Sequence, residues 1–469
     1  MTSQLSTTQK AFEINMDPAV YGTIAEIGAG QEVARFFFLA GGAAGTIAKT
    51  MSAYDMSFSD SIYGKEDSGR YVSEGRLSKM LDKEYALVIK RVSDQRPKNS
   101  VYFAFADTVK ARSYARPSDE CHGWMGICFQ VYPNAPLSEI TLHVRMLDEA
   151  NRQQQEAIGI LGVNLIYAAF HYLRKPEQLI ASLGDNLGQD RIEIDVIRLE
   201  GTGFEGLDNR RMALHLIESD LTRAVLFSPQ KDVVQPSDVL HKKNILIHRS
   251  HFYPVTNVTV DMIKCGMSSF LKDSALGEEK AEILPEISLA EMQSDGPIDK
   301  ENILHRADTL SLMGHPLLVT TYLRFFRIRE YLNRYTSGRV GFVLGIPNMQ
   351  LIFDDAYYEG LGGGIMGAFA RLFDGKTKLF IYPFRKIGNE IVTSETFQGP
   401  PHLKHLYLYL QQNQMIEPVQ DFDESVLHIW PEEVHQKLKK GPGDWEDMVP
   451  RKVADAIIEN CMFGFGSER

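Results

Sequence analysis

Apolar, strand-like segments alternate with helical segments along most of this 469-residue chain. The clearest strands are Ile140–Met146, Arg191–Ile197, Pro316–Tyr322, Val340–Leu344 and Lys378–Tyr382. Strands that alternate with helices favour mostly parallel sheets with helices on both faces. We therefore predict an α/β fold of this kind. We expect ligand-facing residues at the carboxyl edge of the sheets, where the strand-to-helix connections begin.

Two parts of the chain resemble each other at such connections. In the first, a predicted strand at Ile158–Leu161 runs into Gly162-Val163-Asn164 and then an apolar helix. In the second, the strand Val340–Leu344 runs into Gly345-Ile346-Pro347-Asn348 and another helix. The order of the elements matches, which indicates two duplicated β-α-β-α halves. Chance similarity is the alternative, because strand-turn-helix units are common.

The length is about three times that of a typical domain of ~150 residues, so more than one domain is expected. The predicted parts are an N-terminal tail (1–20), an N-terminal α/β unit (21–135), a first α/β half (136–270), an acidic linker or excursion (271–305), a second α/β half (306–400) and a helical C-terminal cover (401–469).

Charge and cysteine content narrow the class of protein. The 50 basic and 61 acidic residues give a net charge of −11, which disfavours binding to the phosphates of nucleic acid. The N-terminus has no secretory pattern, no apolar run is long enough to span a bilayer, and only four cysteines occur. These features predict a soluble cytoplasmic protein with no metal site, and leave a homo-oligomer open.

Gly28 and Gly30 follow the predicted strand Thr23–Ile27 and precede a helix. Glycines at such a corner let the backbone approach a phosphate at the helix N-terminus. A dinucleotide-binding sequence would have a third glycine three residues later, where Val33 stands. The two glycines are therefore candidate ligand-binding residues, with a tight structural turn as the alternative.

Lys49 ends a segment of small residues that begins at Gly41. The segment is not a P-loop, because Ala48 stands where that motif has glycine and a helix precedes it in place of a strand. Lys49 and nearby hydroxyl groups are instead a candidate site for a phosphate or carboxylate. Asn164 and Asn348, at the two similar corners, complete the predicted ligand-binding set.

Cys121 and His122 are adjacent, and a neighbouring histidine can activate a cysteine nucleophile. Adjacent side chains on an extended strand point to opposite faces, however, so this pair is not expected to cooperate. A structural cysteine and a hydrogen-bonded histidine are the favoured interpretation.

Several segments resemble a bacterial protein family whose role is not established. They include Ala25–Ala34, Thr46–Met56, Cys121–Met125, Gly162–Ile166, Pro254–Val258 and Gly364–Phe369. Members carry two conflicting names, nicotinate or nicotinamide nucleotide adenylyltransferase and TonB-dependent receptor. The resemblance implies membership, but the motifs of neither named class are present. Leu312-Met313-Gly314-His315 lacks the polar first residue of the adenylyltransferase corner, and no receptor barrel pattern is visible.

The leading hypothesis is a soluble protein that binds a small anionic metabolite, phosphorylated or nucleotide-like, and transferase activity is one form of this hypothesis. The cleft is expected between the two halves. The alternative is a non-catalytic scaffold or regulatory protein whose aromatic segments bind another protein. Those segments are Phe36–Phe38, Phe325-Phe326 and Tyr407–Tyr409. The sequence identifies neither a cofactor nor a catalytic residue.

Overall fold

A computed structural model describes residues 4–66, 69–112, 120–188, 190–273, 280–292, 299–386 and 389–468. The chain divides into two compact units, Met1–Arg223 and Ala224–Arg469. This division differs from the predicted boundaries at 135 and 270. The first of these falls between neighbouring strands of one sheet, and the second falls within a helix.

Unit 1 contains a six-stranded sheet. Its elements are α1 (Thr7–Met16), β1 (Val20–Gly28), α2 (Val33–Ala40), β2 (Ile47–Ala53), α3 (Met56–Tyr63), α4 (Glu74–Val92), β3 (Val101–Lys110), β4 (His122–Gln130), β5 (Leu137–Met146), α5 (Asn151–His171), α6 (Pro176–Leu183), β6 (Ile192–Gly201) and α7 (Asn209–Glu218). The strand order is β2-β1-β3-β4-β5-β6. The pairs of β1 with β2 and β3 are parallel, and the next three pairs are antiparallel.

Unit 2 contains an eight-stranded sheet and a small two-stranded one. Its elements are β7 (Ala224–Phe227), β8 (Val233–Val234), α8 (Pro236–Leu240), β9 (Asn244–Arg249), α9 (Asn257–Leu271), β10 (Ala281–Ser288), α10 (Leu289–Met292), α11 (Lys300–Leu312), β11 (Leu317–Thr320), α12 (Phe325–Leu332), β12 (Val340–Gly345), α13 (Ile346–Ile352), α14 (Gly364–Leu372), β13 (Thr377–Tyr382), β14 (Phe384–Arg385), β15 (Ile391–Val392), α15 (Lys404–Gln412), β16 (Ile416–Pro418), α16 (Pro431–Lys439) and α17 (Arg451–Glu459). The order in the large sheet is β16-β13-β12-β9-β10-β11-β7-β8.

The predicted α/β class is confirmed. Seven of the twelve pairings in the two large sheets are parallel, five of them in unit 2. Both faces of the unit 2 sheet are buried. Ile245, Ile247 and Phe342 pack in one apolar cluster, while their neighbours Leu246 and Val343 pack in another. Because successive side chains of a strand point to opposite faces, a helical layer must cover each side.

The predicted strand at Ile158–Leu161 is wrong, since these residues lie inside helix α5. An apolar run buried on all sides looks alike in a central strand and in a buried helix. The glycines serve close packing: a Cβ on Gly159 would lie 2.5 Å from Glu32 Cβ, and one on Gly162 would lie 2.4 Å from Val33 Cγ2. The correspondence between the two predicted halves fails here, because the first has no strand at this place.

Two further segments differ from the sequence prediction. Residues 7–16 of the predicted tail form α1, which is capped by Ser6 and Gln9 and buries Ala11 and Ile14. Within the predicted acidic linker, β10 lies between β9 and β11 in the large sheet. The acidic residues of this segment suggested an exposed linker. One of them, Glu286, is instead buried against a cation, as described below.

Helix α9 packs on β12 through a glycine. A Cβ on Gly266 would lie 2.7 Å from Val343 Cγ2 and 2.8 Å from Val343 Cβ, closer than carbon atoms can approach. Gly266 therefore sets the distance between this helix and the centre of the sheet.

We predict that Gly266→Val destabilises the chain by roughly 1–3 kcal/mol, because overpacking forces the helix and strand apart. Gly362→Val is the matched control, since a Cβ there meets nothing within 4 Å. Urea unfolding followed by circular dichroism measures both. Equal midpoints for the two variants would contradict the close packing.

Candidate functional site

The order of strands in unit 2 creates a switch point beside β9. The chain passes from β9 to β10 and β11 on one side, then returns to β12 on the other side and continues to β13 and β16. The connections after β9 and β12 therefore leave in opposite directions. In open α/β sheets, ligands bind in the crevice that this reversal creates at the carboxyl ends of the strands.

A cavity of about 410 Å³ lies at this switch point. Residues that follow β9, β12 and β13 line it, together with the first turn of α9 and part of the segment 427–432. The polar lining includes Ser250, Thr259, Glu291, Asn348 and Arg385. This volume is within the ~300–1,000 Å³ range of small-molecule sites.

Arg249, the last residue of β9, holds this edge of the sheet together. It is 2% exposed and forms two hydrogen bonds with the Glu286 carboxylate, at 2.6 and 2.9 Å. Its remaining donors bind Glu291 Oε1 and the carbonyl oxygens of Tyr322 and Leu323. Burial alone would lower the pKa of Arg249, but the two carboxylates outweigh it and raise that pKa. With all its donors used, Arg249 organises the cavity wall and has none left for a ligand.

Glu291 is a carboxyl group of the cavity lining whose pKa is shifted. Burial raises its pKa; the Arg249 guanidinium opposes the shift, and the Glu286 carboxylate adds to it. Its side chain is 19% exposed, and Oε1 accepts a hydrogen bond of 2.8 Å from Arg249. A carboxyl group with a raised pKa at a cavity surface can exchange a proton with a ligand.

His248 is neutral within the same wall. It is fully enclosed, and burial lowers its pKa to about 4. Nδ1 lies 3.2 Å from the Val343 carbonyl oxygen, so Nδ1 carries the proton and donates it there. Nε2 is then a hydrogen-bond acceptor.

Arg385 and Asn348 provide polar groups on the β12–β13 side. Arg385 Nη2 donates to the Glu424 carbonyl oxygen at 3.1 Å, while its buried Nε has no hydrogen-bond partner in the part of the chain that the structure describes. Asn348 is half-buried after β12, and its amide forms no hydrogen bond with any described residue. Both groups have hydrogen-bonding capacity left for a ligand.

An aromatic pair stands on the same side of the cavity. The rings of Phe384 and Trp430 meet edge to face, with centroids 5.1 Å apart, and Trp430 is 40% exposed. Such exposed aromatic surface can stack on a planar group of a ligand.

The sequence analysis found only Asn348 among these residues. Ser250 directly follows β9, and Arg385 lies three residues after β13, so the rule that placed Asn348 could have found them too. Glu291 and Trp430 lie farther from any strand that was predicted and carried no local signal.

The four other predicted ligand-binding residues belong to unit 1. Gly28 has a φ of +78°, and a Cβ there would lie 2.3 Å from the Val109 carbonyl oxygen; a Cβ on Gly30 would lie 2.2 Å from Asp107 Oδ1. The turn therefore requires glycine at both positions for close packing. Lys49 forms an ion pair with the buried Glu84.

The side chain of Lys49 does not point toward the Gly28 corner. A second cavity, of about 400 Å³, is lined by Glu26, Thr50 and Ser52, whereas Lys49 points to the opposite face of β2. The structure thus brings Gly28 and Gly30 together at one corner without Lys49.

Asn164 is fully buried in α5. It accepts a hydrogen bond from Lys10 Nζ at 2.8 Å and donates to the carbonyl oxygens of Leu183 and Asp185. It is not at a strand end, and its amide donors are already used. Asn164 and Asn348 lie in different units. Ligand binding by the four residues of unit 1 stays a prediction.

The aromatic segments considered for a protein-binding surface are largely core. Phe37, Phe325, Phe326 and Tyr407 are buried, and within these segments Phe38 and Tyr409 are exposed. In the described ranges, no helix combines the length and apolar character of a membrane span, and no three His, Cys, Asp or Glu side chains cluster as metal ligands.

A buried pair of carboxyl groups lies at the carboxyl edge of the unit 1 sheet. Glu26 on β1 is paired in register with Asp107 on β3. Glu26 accepts hydrogen bonds from the Val33 and Ala34 amides, but burial still raises its pKa to about 7. Asp107 is wholly buried, and neither carboxylate oxygen forms a well-oriented hydrogen bond with a described residue. Burial and then Glu26 raise the pKa of Asp107 well above its ordinary value.

We predict that Asp107→Asn stabilises unit 1 more at pH 8 than at pH 5. In the folded chain Asp107 keeps its proton to a higher pH than in the unfolded chain, so folding stability falls as pH rises above the unfolded pKa of about 4. Asparagine is uncharged, like the protonated form of Asp107, so the variant does not lose stability in this way as the pH rises. Thermal unfolding at both pH values measures the difference, with the exposed Asp94→Asn as control. A gain that does not depend on pH would contradict it.

Comparison with known proteins adds little to this geometry. No protein-family model and no curated protein matches the chain. Among solved structures, nicotinic acid mononucleotide adenylyltransferase of Plasmodium falciparum, complexed with APC, is 13% identical, with 48% of this chain and 99% of that chain covered and a TM-score of 0.29. Competence/damage inducible protein CihA of Agrobacterium tumefaciens is 17% identical, with 35% and 93% covered and a TM-score of 0.23. Similarities this weak carry no argument, so function must be argued from the site.

Proposed function

We propose that the switch-point cavity of unit 2 binds a small phosphorylated, nucleotide-like metabolite. The observation that carries the proposal is a cavity at the reversal of strand order whose wall combines an arginine with an unused donor and an exposed tryptophan. The first suits a phosphate and the second a base.

The phosphate end would lie between Arg385 and the first turn of α9. Val258 and Thr259 are lining residues; Thr259 N–H is capped by Thr256 Oγ1, whereas the Val258 N–H has no acceptor in the described ranges. Free amides at the start of a 15-residue helix favour a negative group. Arg385 adds a full positive charge, and Asn348 can donate a hydrogen bond to a phosphate or ribose oxygen.

The base end would lie against Trp430 and Phe384. The apolar residues Met262 and Ile429 also line the cavity. A planar base can stack on the indole without displacing tightly bound protein groups. A ligand with both a planar ring and a phosphate uses both ends of the cavity.

Transfer of a group from such a ligand is the finer form of the proposal. Glu291 is the residue in this cavity suited to general acid–base catalysis, because its raised pKa brings protonation closer to neutral pH. Arg249 fixes its position through a hydrogen bond to Oε1.

We predict that nucleoside monophosphates and ribose 5-phosphate raise the thermal unfolding temperature of the full chain. Arg385→Gln should lower the affinity for both ligands about 10–100-fold, since a charge-assisted hydrogen bond contributes roughly 1.5–3 kcal/mol. Trp430→Ala should lower the affinity for the nucleotide by a similar factor, since stacking contributes about 1–3 kcal/mol per base. It should leave the affinity for ribose 5-phosphate unchanged.

Arg327→Gln is the matched control, because this exposed arginine pairs with Glu330 on α12 and does not line the cavity. Isothermal titration calorimetry gives the affinities. The absence of any response to phosphorylated ligands would contradict the proposal, and a stable complex with another protein under the same conditions would favour the scaffold alternative.

A further inference from the structure

Three titratable side chains form a hydrogen-bonded chain across the antiparallel part of the unit 1 sheet. His143 Nδ1 on β5 lies 2.5 Å from Asp195 Oδ1 on β6, and His143 Nε2 lies 3.0 Å from His122 Nδ1 on β4. Asp195 and His143 are buried, at 2% and 0% exposure, whereas His122 at the start of β4 is partly exposed. The chain thus leads from the core to the carboxyl edge of the sheet.

The hydrogen bonds fix where the protons are. A carboxylate accepts only, so His143 Nδ1 carries a proton and donates it to Asp195. His143 Nε2 is then an acceptor, and His122 Nδ1 must donate to it. This leaves the lone pair of His122 Nε2 directed away from His143, and no residue in the described ranges donates a hydrogen bond to it.

A β-bulge places Asp195 in this arrangement. The pairing of β5 with β6 shifts between His143 and Val144, so that His143 pairs with Val196, Val144 pairs with Ile194, and Asp195 is the unmatched residue. Bulges change the direction of a side chain and occur often beside active sites. The indole of Trp124, with its centroid 4.9 Å from that of His143, packs against the middle of the chain.

We propose that Asp195, His143 and His122 form a proton relay, and that unit 1 carries an acid–base site at His122 Nε2. The ligand class is one that presents a hydroxyl group or a bound water to be deprotonated. His122 Nε2 takes the proton as the O–H bond breaks, and His122 Nδ1 passes its proton to His143 Nε2. The positive charge then rests on His143, beside the Asp195 carboxylate.

The charges around His122 fit a neutral resting state. Lys110 on β3 and Arg145 on β5 are its partners in register, and Arg145 pairs with Glu120 and Glu193. Burial, and then His143, lower the pKa of His122 to about 4, which Glu120 and Asp195 only partly offset. His122 therefore holds its free lone pair at neutral pH. Its partner in this arrangement is His143, and not the adjacent Cys121.

Diethylpyrocarbonate tests the relay without knowledge of the ligand. Its carbonyl carbon forms a bond with an unprotonated imidazole nitrogen, and ethyl carbonate leaves with the electron pair of the broken C–O bond. In the full chain we expect His122 to react at Nε2 and to keep its rate from pH 8 to pH 5.5, whereas an ordinary histidine with a pKa near 6.5 loses reactivity over this range. Peptide mass spectrometry locates the products.

Asp195→Asn should slow the reaction of His122 at least tenfold. The asparagine amide would donate to His143 Nδ1, which moves the His143 proton to Nε2 and forces the His122 proton onto Nε2, where it blocks the reagent. Asp220→Asn, at an aspartate with a 71% exposed side chain, is the control and should leave the rate unchanged. If Asp195 had only a structural role, its substitution by asparagine would not change the position of the proton on His122.

Nitrogen-15 NMR spectra of the imidazoles in the wild-type protein test the relay without any variant. The relay requires a protonated Nδ1 and an unprotonated Nε2 on His122 at pH 7. An unreactive His122, an Nε2–H tautomer in the wild type, or an unchanged rate in a folded Asp195→Asn variant would each overturn the proposal.

Discussion

The burial of β9, β12 and β13 on both faces is the constraint on which unit 2 depends. Side chains from these strands fill two separate apolar clusters, so neither face can carry a polar group without a partner. Polar chemistry is therefore confined to the ends of the strands. The cavity lies at the end where β9, β12 and β13 finish, beside the reversal in strand order. Packing thus decides where a ligand can bind before any functional residue is considered.

A buried ion pair meets this requirement at the edge of the sheet, and it explains how the edge stays rigid. Arg249 and Glu286 are both almost inaccessible, and removing either would leave an uncompensated charge inside the sheet. Thr320 also donates to Glu286, at 2.6 Å. These contacts join β9, β10 and the chain after β11 at the height of the cavity. A wall held in this way keeps Glu291 in one position, as acid–base chemistry requires.

The parts of the fold that sequence patterns could predict were short apolar runs bounded by turn residues. Val340–Leu344 and Lys378–Tyr382 are runs of this kind and were confirmed as strands, and Asn348 lies at the cavity as the strand-end rule expects. Ile158–Leu161 failed because its glycines, which looked like turn residues, instead allow α5 to approach α2. The prediction for the segment that contains β10 failed because a strand with a buried ion pair has an acidic sequence.

The relay of unit 1 could not be predicted, for a different physical reason. His122, His143 and Asp195 are separated by 21 and 52 residues and meet only because β4, β5 and β6 pair in one register. Shifting that register by a single residue would turn His143 to the other face. The bulge at Asp195 also has no sequence signature, since it depends on how β6 pairs with β5.

The same edge of unit 1 holds buried titratable groups on both of its faces. Glu26 and Asp107 lie on the side of α2, and the relay lies on the opposite side, because Asp107 pairs in register with Met125 and Trp124 pairs with His143. Each such group lowers stability unless its charge is compensated, so packing alone would replace it with an apolar residue. Such a collection of buried titratable groups at the carboxyl edge indicates an edge whose composition is set by proton chemistry more than by stability.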